Sequence, residues 1–123
     1  MNNQEQMIKT LSALLKEGET LRYPVYGTLK QKSGHCFGYF GLTEKYLLVA
    51  LLRGDSKAVG WTARVPLDIK KVTVKKGLFP LFRHIRIEFN EGEPVRFQAS
   101  RTVYGIADQA ENLEGFIHFV QTH

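Results

Sequence analysis

A single cysteine, Cys36, serves the whole chain, so no internal disulfide is available and a reducing compartment suits it. Long apolar runs are missing as well. The longest, Tyr46 to Leu52, falls far short of the roughly 20 residues that cross a bilayer as a helix. The opening MNNQEQMIKTLSALLKEG lacks the basic start and apolar stretch of a secretory leader, so a cytoplasmic location is expected. The four histidines, His35, His84, His118 and His123, show no metal-ligand spacing. No glycine-rich phosphate loop and no nucleophile constellation are written in the chain. The expectation is a non-enzyme with no cofactor and no catalytic or metal residues. The tripeptide Arg53-Gly54-Asp55 spells an adhesion signal, but a hairpin turn explains it.

Acids are also scarce where they would balance bases. The 17 Lys and Arg outnumber 12 Asp and Glu, and the imbalance is local. Residues 70–87 hold Lys70, Lys71, Lys75, Lys76, Arg83 and Arg86 with no acid. Residues 105–116 hold Asp108, Glu111 and Glu114 with no Lys or Arg. A basic element and an acidic helix are therefore expected, and such charge suits anionic lipid, acidic protein or nucleic acid.

What is present reads as one domain, since 123 residues bury a core without metal or crosslinks. Met7, Ile8, Leu11, Leu14 and Leu15 lie at helical spacing and predict an amphipathic helix over residues 1–17, capped by Asn2 or Asn3. Residues 18–123 make the remainder. Seven strand-like runs follow: Leu21–Leu29, Cys36–Leu42, Tyr46–Arg53, Val59–Val65, Ile69–Lys76, His84–Asn90 and Val95–Ala99, parted by turn residues. A last helix is expected from a Thr102 cap onward, with Val103, Ile106, Ala107, Ala110, Leu113, Ile117 and Val120 on one face. Gly105 and Gly115 within it point to close packing or a frayed first turn. Strands closed by a helix give a mainly β fold, an antiparallel barrel or sandwich.

Gly41-Leu42-Thr43 followed by Tyr46–Ala50, then Val65-Pro66-Leu67 leading into Ile69–Val72, then Ile85–Phe89 before the Glu91-Gly92 turn, form an ordered series. In that order they resemble the pleckstrin-homology (PH) superfold, in particular bacterial PH-like and GRAM-type domains. The resemblance spans about residues 18 to 121. It implies a PH-like barrel of seven antiparallel strands, capped by the C-terminal helix, with the N-terminal helix added. The superfold hosts lipid binding, peptide binding and assembly alike, so it speaks to fold first. Phosphoinositide-binding members carry cations along the first hairpin. Here Lys30 and Lys32 are present and His35 stands near, but Phe37 and Tyr39 occupy the places of later cations.

The segment KKVTVKKGLFPLFRHIRIEF, residues 70–89, draws the functional expectation. Val72 and Val74 alternate with cations, as do Ile85, Ile87 and Phe89, giving one core face and one wet face. Leu78, Phe79, Leu81 and Phe82 at the tip are the candidate partner or membrane contact. Lys30, Lys32, Lys75, Lys76 and Arg83 are the candidate anion-binding set. The favoured reading is a module for protein contact or self-association, as a homo-oligomer or with another protein. The alternative is peripheral binding to anionic phospholipid at the inner face of a membrane. Nucleic acid is disfavoured, because the aromatics of the sixth strand take the core phase. Trp61 reads as core or barrel rim.

Overall fold

A computed structural model describes residues 2–31, 34–54, 58–77 and 81–123. Helix α1 spans Asn3–Ser12, strands β1 to β7 span Arg22–Gln31, Gly34–Leu42, Tyr46–Leu52, Val59–Pro66, Ile69–Lys76, Phe82–Phe89 and Val95–Ser100, and helix α2 spans Gln109–Gln121. The strands form one antiparallel sheet in the order β4-β3-β2-β1-β7-β6-β5. β4 and β5 do not pair with each other, so the sheet is open rather than a closed barrel. It nonetheless wraps a core: Phe40, Leu47, Val49, Ile85, Ile87 and Phe97, from strands at both ends of the order, share one apolar cluster.

Alternation explains which side each strand buries. Along β6, Ile85, Ile87 and Phe89 are buried while His84 is exposed. Helix α2 covers the remaining opening of the core with Leu113, Phe116, Ile117 and Val120. β2 and β3 are buried on both sides. Their second face, with Tyr39, Leu48, Ala50 and Leu52, packs under Met7 and Leu11 of α1. A cap by Asn2, whose side chain accepts from the Glu5 N–H at 2.8 Å, starts α1. The helix ends at Ser12, short of Leu14 and Leu15, and those two still pack partly buried against the same cluster.

The second helix departs from expectation at its start. Thr102 does not cap it; the Thr102 N–H meets the Ser100 hydroxyl in a turn. Gly105 takes a φ of +81°, a left-handed conformation that no helix interior accepts. The helix therefore begins at Gln109 with Asp108 at its cap position. Gly115 is a close-packing glycine, because a Cβ there would land on the Tyr23 ring.

Two polar fastenings lock these helices down. Gln109 is fully buried. Its side-chain oxygen accepts from the Tyr26 N–H at 3.0 Å, and its amide donates to the Tyr26 and Ser100 carbonyls at 2.8 and 3.0 Å. At the end of α1, Arg64 of β4 donates through both guanidinium nitrogens to Glu19, and to the Leu14 carbonyl. The Arg64 hydrogen bonds, joined by the Lys16 N–H, pull the Glu19 carboxyl from an ordinary 4.5 to about 2.

Candidate functional site

Register between β1, β7, β6 and β5 builds a cationic face. Thr28 stands opposite Gln98, Gln98 opposite His84, and His84 opposite Lys75. Two residues along, Arg96 stands opposite Arg86, and Arg86 opposite Thr73. Lys30, on the Thr28 side of β1, pairs across the first hairpin with His35 of β2. The row between, Leu29, Phe97, Ile85 and Val74, points the other way, into the core. The outward rows line a groove of about 400 Å3.

Lys30, His35, Lys75, His84 and Arg96 are exposed there, and Arg86 is half-buried. No carboxylate lines the groove among the described residues. Glu88 approaches Arg86 to only 3.7 Å, with both side chains partly open to water, so it neutralises little. Arg86 directly faces Arg96, an arrangement that destabilises a sheet because like charges lie side by side.

The structure thus brings together two of the five sequence-predicted cations, Lys30 and Lys75. Lys76 and Arg83 take the opposite phase of the hairpin and pair with each other across β5 and β6. Arg83 is buried, donates to the Phe82 carbonyl, and lies 3.8 Å from Glu114 of α2. Lys32 lies outside the described residues. Arg96 escaped the sequence reading. Its outward phase was visible in VRFQA and the β6–β7 pairing sets it opposite Arg86, but its place beside Lys30 depends on a β1–β7 pairing that no local pattern announces.

Of the candidate contact residues, Leu78 and Phe79 lie outside the described residues. Leu81 is 51% exposed and Phe82 is half-buried. The Leu81 carbonyl accepts from the Arg101 N–H, which places the tip where β7 ends, away from the β1–β2 turn. The acidic helix is partly engaged within the chain. Asp108 accepts from the Gln4 side chain at 3.0 Å, and Glu114 stands 3.7 Å from Arg101.

A second, apolar slot opens across β1 to β4. Leu29, Cys36, Leu51, Leu52, Gly60 and Trp61 line about 390 Å3. Trp61, on the edge strand β4, is 55% exposed, so it is a rim residue. Among the described residues no group of three or more His, Cys, Asp or Glu is placed to hold a metal ion. No helix there is long and apolar enough to cross a membrane.

No family model matches the sequence, and no curated protein matches it. Solved structures do. The hSac2 domain of the human phosphoinositide phosphatase Sac2 superposes with a TM-score of 0.63 at 15% identity, covering 96% of this chain and 79% of that one. The C-terminal domain of an unknown protein from Leishmania infantum gives 0.62 at 13% identity, covering 98% and 99%. A Shewanella loihica protein with a pleckstrin-homology domain gives 0.54 at 15% identity, covering 98% and 92%. At these identities the likeness concerns fold, and the fold is PH-like.

Proposed function

We propose that this PH-like chain is a non-catalytic binding module that works by protein contact, self-association included. The observation that carries the reading is Trp61 on β4. That strand pairs with β3 on one side only and leaves its other edge open, Trp61 itself is more than half exposed, and it borders an apolar slot. An edge offers a row of backbone donors and acceptors for an added strand, and an exposed tryptophan beside it supplies apolar contact. Leu81, exposed at the β5–β6 tip, adds a second apolar point at a different place on the sheet.

Light scattering coupled to size exclusion tests this. The wild type is expected to show a mass above one chain that rises with concentration. Trp61→Arg is expected to return it to one chain while the circular dichroism stays unchanged. A wild type that remains at one chain across the concentration range overturns self-association.

The second reading is peripheral binding to anionic phospholipid, favoured by the groove in which Lys30, Lys75, Arg86 and Arg96 share one face without a lining carboxylate. Juxtaposed cations gain about 1 kcal/mol each at an anionic membrane surface. Sedimentation with anionic vesicles that weakens steeply with salt supports it; sedimentation equal to that with neutral vesicles removes it.

A further inference from the structure

We propose that the outer face of β1, β7, β6 and β5 is a binding site for a compact anion carrying two or more phosphate-type groups. This deepens the second reading above by naming the site and the ligand chemistry.

Three observations converge. The first is concavity: a groove of about 400 Å3 lies within the size of small-ligand sites, roughly 300–1,000 Å3. The second is an energetic oddity. Arg86 and Arg96 face each other directly, with Lys30 beside them; among the described residues no carboxylate lines the groove, and Glu88 nears Arg86 only at 3.7 Å. A sheet with nothing to bind gains stability by replacing one of them, so their juxtaposition makes sense only when an anion sits between the two guanidinium groups. The third is spacing. Neighbouring strands lie about 4.8 Å apart, and two residues along a strand span about 6.6 Å. The Arg86–Arg96 pair and the Lys75–His84 pair are two such steps on one lattice. Anionic groups about 5 to 7 Å apart, as in a short polyphosphate or a headgroup with neighbouring phosphates, match it.

Residue type supports phosphate over a lone carboxylate. Two guanidinium forks offer paired parallel donors, and lysine supplies a mobile point charge. Single-stranded nucleic acid fits less well. Among the described residues, Phe97 is the one aromatic ring other than the imidazoles lining the groove, and it is buried, so none of them offers an exposed phenyl, phenol or indole for stacking there.

The test uses inorganic tripolyphosphate as the soluble probe, with phosphatidylcholine vesicles with and without phosphatidic acid as the membrane probe. In titrations followed by amide chemical shifts, tripolyphosphate is expected to produce saturable changes at Thr28–Lys30, His84–Arg86 and Arg96–Gln98. Arg86→Gln and Arg96→Gln are each expected to weaken binding roughly ten-fold, as loss of one charge-assisted contact does. Both variants are expected to melt at or above the wild-type temperature, because the opposed charges are gone. A control that removes one charge outside the groove, Lys70→Gln, is expected to bind within about two-fold of wild type, as general screening alone permits. Shifts spread over the whole surface, or equal loss in the control, overturn the site.

The arms separate the sources. Tripolyphosphate binding with no vesicle sedimentation supports the site and sinks the lipid reading. Sedimentation that ignores Arg86 and Arg96 sinks the site and leaves the lipid reading standing.

Discussion

At the scale of single residues, three positions do more than their residue types suggest. Gln109 lies in ADQAEN, a run that reads as solvent-facing, yet its amide satisfies two carbonyls and one N–H in the core. Gln109→Ala leaves three backbone groups without partners, each costing about 1 to 3 kcal/mol when buried. Urea unfolding is expected to show a loss of at least about 2 kcal/mol, among the larger effects of any polar substitution here. Gly115→Ala is a contest of two terms. Helix propensity gains about 1 kcal/mol, while forcing a methyl onto the Tyr23 ring costs about 1 to 3 kcal/mol. The net expected is a loss, and the sign is expected to reverse in a Tyr23→Gly background, where the ring is gone and propensity alone remains.

Glu19 provides the pH handle. Its folded value near 2 lies below the ordinary 4.5, so its contribution is fully present above about pH 4.5 and is lost as pH falls from there toward 2. Thermal unfolding of the wild type is expected to fall through that window. Arg64→Ala is expected to flatten that limb, and equal slopes in the two proteins would remove the Arg64 ion pair as its source.

At the scale of elements, the strands were legible in the sequence because β5 and β6 alternate, β3 is a short continuous apolar run, and the turns carry Gly, Pro and Asn. Ile69–Lys76 lies where the pattern places it, and the other six differ by a few terminal residues. Helix α1 was legible in its stripe and its Asn2 cap, though not in its length. The start of α2 was not. Apolar spacing runs smoothly back to Val103, and only the left-handed turn at Gly105 breaks it. The groove was half legible. Lys75 and His84 face outward by local alternation and Arg86 meets Arg96 across neighbouring strands, but Lys30 joins them only through strands more than 55 residues apart in sequence, and β1–β7 register is a property of the folded sheet.

At the scale of the whole molecule, the two outer faces of the sheet are treated differently. Helix α1 covers the one formed by β2 and β3, and the one formed by β7, β6 and β5 stays open to ligand. Removing residues 2–12 is expected to uncover Tyr39, Leu48, Ala50 and Leu52. The shortened protein is expected to bind a hydrophobic dye and to aggregate on mild heating, and equal dye binding in both forms would argue that α1 is dispensable. The attachment of α1 also sets an order in time. Met7 and Leu11 pack on Leu48 and Ala50, which a ribosome supplies early, yet the Asn3 and Gln4 side chains bond Tyr104 and Asp108, made roughly a hundred residues later. Helix α1 is therefore made well before it is fully secured. Until the segment before α2 emerges, it is held by packing and by the Arg64 contacts at its end, and a nascent chain stalled before Tyr104 is the form in which a chaperone would find it.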